Sequence, residues 1–144
     1  MTREPIYKAL FDKLNELPQF VTKSRKLLHW QDVPKHNQPA LFTSQDSEHA
    51  ETTTSEPTVW TLRVDVYVYS WSAGEDAATK LNELIDAVCN KINATHPVTG
   101  RSMLLTQDAA YFCRVSGTID ISEGTLGDQS VAIIPIEIKA NQEL

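Results

Sequence analysis

The sequence predicts an α+β fold in which one mostly antiparallel or mixed β-sheet carries two helices on one face. Three observations predict it. Within residues 58–71, Trp60, Leu62, Val64, Val66 and Val68 alternate on one face, the period of a half-buried strand. Two stretches, one near the N-terminus and one after Ser72, repeat apolar residues every three to four positions, the period of a helix with one buried stripe. The elements then follow in the order α-β-β-β-α-β-β, and one sheet with both helices on one side buries every apolar stripe. With 144 residues the chain predicts a single domain spanning 1–144.

The first helix is predicted over 3–16. Thr2 is placed to cap it, and Glu4 and Pro5 suit a first turn. Ile6, Leu10, Leu14 and Leu17 form the stripe, widened by Tyr7 and Phe11, and Pro18 ends it. Residues 20–30 read as extended, with a strand at 25–30. Two prolines in DVPKHNQP make that stretch a loop, and ALFT at 40–43 is a short strand. Residues 44–57 (SQDSEHAETTTSEP) hold no large apolar residue and four acids with no Lys or Arg. They predict a mobile loop between two strands.

Residues 58–71 follow, with Trp60, Leu62, Val64, Val66 and Val68 on the core face. Tyr67, Tyr69 and Trp71 lie on the other face. Ser72-Ala73-Gly74-Glu75 matches a capping box, with Ser72 as N-cap. The helix it opens buries Leu81, Leu84, Ile85, Val88, Cys89 and Ile92 and stops at Pro97. Residues 97–110 read as irregular. Residues 111–122 alternate again, with Tyr111, Cys113, Val115, Ile119 and Ile121 on one face. The last strand, 130–139, turns Ala132, Ile134, Ile136 and Ile138 inward. Pro135 cannot donate a ladder hydrogen bond, so an edge or a bulge is expected there. The last two strands should pair as an antiparallel hairpin.

Composition excludes several function classes. The net charge is −6, unsuited to gripping phosphate backbones over a wide surface. No apolar run approaches the length of a membrane helix, and MTREP shows no apolar signal segment. A soluble, intracellular protein is expected, with no membrane partner. The five glycines are not spaced as a phosphate loop or a dinucleotide fingerprint. His29, His36, His49 and His96 have no metal-ligand spacing, so no metal is expected. Cys89 and Cys113 fall on buried faces, where a thiol is an inert small hydrophobe. Glu75/Asp76 and Glu83/Asp86 read as helix capping and a solvated face. The Asn93-Ala94-Thr95 sequon reads as a chance match. No catalytic residue, no cofactor and no enzymatic activity are expected.

The feature left over is Tyr67, Tyr69 and Trp71 on the outer strand face. Two readings stand: a loop of the same chain covers them, or they form a subunit interface, where Tyr and Trp are enriched.

Three stretches together resemble a known family. They are REPIYKALFDKL with FVTKSRKLLHWQDVPKHNQPALF; VWTLRVDVYVYSWS with LNELIDAVCNKI; and GTIDISEGTLGDQSVAIIPIEI. The chain resembles the tail terminator, or tail-completion, family of tailed phages and prophages, similar to minor tail protein U of lambda-like siphophages. The resemblance covers nearly the whole chain, and its motifs are structural. It implies a virion protein of the tail, assembled in the host bacterial cytoplasm. It implies a homo-oligomeric ring, most often a hexamer, on the end of the tail tube. Such a ring stops tube growth, contacts the tail tube protein and presents the surface that joins the head-completion or connector protein. DNA would pass through the lumen without specific binding, which an acidic chain suits. Another neck or head–tail connector protein of the same particle is the alternative, and a small cytosolic hydrolase a weaker one.

Overall fold

The computed structural model describes residues 2–95, 98 and 110–141. The stretch predicted as irregular, 97–110, lies outside them except for Val98 and Ala110. The elements are α1 (Arg3–Leu14), β1 (Thr22–Ser24), β2 (Ala40–Glu51), β3 (Val59–Trp71), α2 (Ala77–Asn93), β4 (Ala110–Val115), β5 (Asp120–Leu126) and β6 (Gln129–Asn141). The α+β class and the one-sheet architecture are those the sequence predicts.

The sheet is mixed and has six strands in the order β1-β2-β3-β6, with β4 and β5 both on the far side of β6. β1 runs parallel to β2, and every other pair is antiparallel. The even residues of β3, Leu62 to Val68, face the helices, as do Leu41 of β2 and Ala132 to Ala140 of β6. The stripes of α1 (Ile6, Tyr7, Leu10, Leu14) and α2 (Leu81, Leu84, Ile85, Val88, Ile92) close over them. Both helices therefore lie on one face, and the core sits between them and the sheet.

Five expectations are corrected. Residues 44–51 are not a loop: they continue β2, and only 52–58 connect it to β3. This half of β2 makes a polar contact with the helices, Glu48 with Arg3 and Tyr7 of α1, and residues 45–51 are otherwise exposed while the backbone bonds β3. The strand expected at 25–30 is three residues long and earlier, at Thr22–Ser24, because the chain then leaves the sheet edge to cross its outer face. Ser72 does not cap α2. Its N–H bonds the Asp128 carbonyl and its hydroxyl accepts from Gly74 N–H, so it closes the sheet end. The helix begins later, at Ala77, with Asp76 as N-cap.

The strand expected over 111–122 is broken into β4 and β5; Ile121 is exposed on β5, and Tyr111 is exposed at a shift of register between Ala110 and Phe112. The break explains Pro135, which is neither on an edge strand nor bulged. β6 is paired on both sides, and Pro135 faces Asp65 of β3. Its carbonyl accepts from Ser116 N–H at 3.1 Å on the other side. The missing N–H of Pro135 thus points at the gap between β4 and β5, where no acceptor is wanted. Gly117 fits this gap with φ of +117°; a Cβ there would lie 3.2 Å from Pro135 Cγ. β5 and β6 do form an antiparallel hairpin, turning at Gly127.

Candidate functional site

The register of β3 fixes what stands on the outer face. Its odd residues Arg63, Asp65, Tyr67, Tyr69 and Trp71 lie beside Glu137, Pro135, Ile133, Val131 and Gln129 of β6. On the other side, Tyr67 and Tyr69 pair with Phe42 and Ala40 of β2. Among the described residues no α-helix covers this face. A strap does in part: residues 25–39 run across it, with two short 3-10 turns at Trp30–Asp32 and Lys35–Asn37. Val33 of the strap, Ala40, Phe42 and Tyr69 make a second small core, with Trp30, Tyr67 and Val131 packed against it.

The three aromatics therefore have three different settings. Tyr69 is only 3% exposed; its hydroxyl donates to the Leu28 carbonyl at 2.6 Å. Burial pushes that phenol up to about 12. Tyr67 is half-buried and meets the Tyr69 ring edge-on, 6.5 Å between centroids. Burial, then the carboxylates of Asp65 and Asp46, raise its pKa. Trp71 is 39% exposed, with Lys35 Nζ 4.9 Å from its ring centre. The strap plays the part of the covering loop. It encloses Tyr69 fully, so the picture of three aromatics exposed side by side is corrected to two, Tyr67 in part and Trp71.

A buried amide pair ties the strap to the sheet. Gln38 and Gln129 exchange hydrogen bonds of 2.9 Å in both directions. Gln38 Nε2 also donates to the Val33 carbonyl, and Gln129 Nε2 to the Ser70 and Ser130 carbonyls. A buried amide left unpaired costs about 1–3 kcal/mol, so each glutamine holds the other in place. Sequence reasoning misses this pair, because a glutamine in a proline-rich loop gives no signal of its partner 91 residues away. Above the pair, Trp71 stands as a ridge between two recesses. One, of about 470 Å³, is lined by Trp30, Pro34, Lys35, Trp71 and Asp128 among others. The other, of about 460 Å³, lies toward α2, between Gln19, Trp71, Lys80 and Glu83.

The opposite end of β3 is held differently. Arg3 of α1 grips both carboxylate oxygens of Glu48 and lies 5.5 Å from the Trp60 ring centre. Tyr7 donates to the same carboxylate at 2.7 Å. Burial alone would push Glu48 up, but the hydrogen bonds from Tyr7 and Arg3 outweigh it and hold the carboxyl below its usual value. This clasp fixes the projecting β2–β3 hairpin onto α1.

The chemistry-bearing residues elsewhere are structurally occupied. Burial pushes the Cys113 thiol up to about 12 and also raises Cys89, so neither is a ready thiolate. His29 Nδ1 accepts from Gln31 N–H as a turn cap. Asn93 Oδ1 accepts from Val115 N–H and its carbonyl takes Arg114, joining α2 to β4. Among the described residues no group of three His, Cys, Asp or Glu side chains is arranged to hold a metal, and no helix is long and apolar enough to cross a membrane. His96 lies outside the described residues.

No protein-family profile and no curated protein matches the sequence. Among solved structures, a chain described as "Virion of native gene transfer agent (GTA) particle" shares the fold. The likeness has a TM-score of 0.59 and covers 94% of this chain and 93% of that one, at 8% sequence identity. A second solved chain is matched over all of this chain and 98% of its own at 15% identity, with a TM-score of 0.48.

Proposed function

We propose that this chain is a structural virion protein that forms a ring on the end of a phage tail tube, stops its growth and presents the surface that joins the head. The observation that carries the reading is the end-to-end fold likeness to a chain of a gene transfer agent virion, a phage-like particle. It supports a virion role; the tail-terminator role and the hexameric ring come from the sequence resemblance. The outer sheet face supplies a reason to associate. Trp71 and Tyr67 offer rigid aromatic surface at the rim of the strap, and Tyr69 supports them from behind. Tyr and Trp carry a large share of energy at such contacts. The partners are further copies of the chain, the tail tube protein and the head-completion protein, with DNA passing through an acidic lumen.

The test uses phage extract lacking this protein. Without it, tails should grow past their normal length or fail to join heads, and adding the purified chain should restore normal particles. Normal tails that join heads in its absence would overturn the terminator reading.

A further inference from the structure

The recess beside Trp71 has the chemistry of a docking site for an extended, acidic, proline-bearing segment. Trp30, Pro34 and Trp71 supply apolar and aromatic walls, and Lys35 supplies an exposed cation; among the described residues Asp128 is the one acid in the lining. Aromatic-lined grooves take proline-containing extended peptides with little ordering cost. Along the strap, residues 25–39 carry Arg25, Lys26 and Lys35 against Asp32 alone, with Arg25 paired to Glu4 of α1.

This chain carries a segment of the matching kind. The tip of the β2–β3 hairpin, Glu51-Thr-Thr-Thr-Ser-Glu56-Pro57, projects past the helices with Glu51 and Glu56 exposed. Residues 44–57 hold four acids and no Lys or Arg. The tip cannot reach the recess of its own molecule. The recess lies at the Trp71 end of β3 and the tip at the Val59 end, about 40 Å apart at about 3.3 Å per residue. A contact between the two must therefore join different copies; made head to tail it is heterologous, and it closes a ring where the rotation between copies closes.

We infer that the acidic Glu51–Pro57 tip of one copy docks in the Trp30–Lys35–Trp71 recess of the next. The inference rests on the ring reading and deepens it by naming the two surfaces that meet. Pro57 lies against the tryptophans and Glu56 or Glu51 pairs with Lys35.

Charge reversal tests it on the full chain. Lys35→Glu makes the recess acidic; Glu51→Lys with Glu56→Lys makes the tip basic. All three positions are exposed, and thermal melting checks that the fold is kept. In sedimentation equilibrium, each variant alone should associate on the order of tenfold more weakly than the parent, or worse, since it sets like charges together. Mixed in equal amounts the two should recover association, because each acidic tip then meets a native recess and each basic tip an acidic recess. Parent association should weaken with salt. Variants that associate like the parent, or a mixture that does not recover, overturn the docking. For a parent monomeric in free solution, a Lys35→Cys copy mixed with a Glu56→Cys copy should give an interchain disulfide not formed by either alone; its absence overturns the docking as well. The tail-assembly assay stays separate: Lys35→Glu protein that restores normal tails sinks the docking and leaves the ring, whereas parent protein that restores nothing sinks the ring.

Discussion

Val66 is fully buried where β3 passes under both helices, with Ile134 beside it on β6. Its place is readable from the sequence alone, because strict alternation leaves only one face for Leu62, Val64, Val66 and Val68. Val66→Asp puts an unpaired charge in that core at a cost of several kcal/mol, a large part of the roughly 5–15 kcal/mol that holds a typical domain. The expected result is loss of soluble protein; a soluble variant with a normal melt would mean the apolar row does not face the helices. Tyr69 is less legible. Alternation assigns it to the outer face, but its burial depends on a strap roughly 30 to 40 positions earlier. Tyr69→Phe removes the bond to the Leu28 carbonyl and should cost about 1 kcal/mol, lowering Tm by roughly 2–4 °C. Tyr69→Ala empties the small second core and should cost about 3–5 kcal/mol. A melt unchanged by both would show that the strap is not held there.

At the scale of elements, composition misleads wherever a strand does not touch the core. The distal half of β2 is polar because it is a two-sided ribbon, and only its pairing with β3 reveals it as a strand. Among the described residues no strand pairs the other edge of β2 beyond Phe42, so only every second amide there has a partner. Hydrogen exchange should show protected and unprotected amides alternating along 47–51, and fast exchange across 52–58. Uniformly fast exchange from 44 to 57 would restore the loop reading. The clasp on this ribbon is pH-dependent. Glu48 is held below its usual 4.5 by Tyr7 and Arg3, so its contribution is present above the ordinary carboxylate range and is lost as pH falls through the lowered value. Urea unfolding followed from about pH 6 down to about pH 3 should show a steeper loss for the parent than for Glu48→Gln. Parallel curves would mean that the carboxylate adds nothing. The helix start misleads for a related reason. Ser72 has the residues of a capping box, but its N–H is already committed to Asp128 at the sheet end.

For the whole molecule, the sequence yields the one-sided layering and the sheet yields the asymmetry. One end carries the acidic ribbon clasped to α1; the other carries Trp71, Lys35 and the glutamine-pinned strap. The layering is legible because both helices and three strands show clean periodicity. The asymmetry is not, because it depends on register and on two glutamines that pair across the chain. On the proposed ring, the two unlike ends are the patches that would meet, since a cyclic assembly beyond a dimer joins one patch to a different patch of the next copy. The aromatic rim belongs to that argument and can be separated from stability. Tyr67 and Trp71 are the two outer aromatics of β3 with accessible surface, and Tyr69 is the one that the fold itself consumes. Tyr67→Ser with Trp71→Ser should weaken association by about tenfold or more, as loss of rim aromatics does at an interface, while shifting Tm by only a few degrees. Tyr69→Ala should do the reverse at first order, lowering Tm strongly in monomer and oligomer alike. Sedimentation and melting on the same three proteins check it. Association unchanged in the double variant would remove the outer face from the interface, and with it the recess that Trp71 lines.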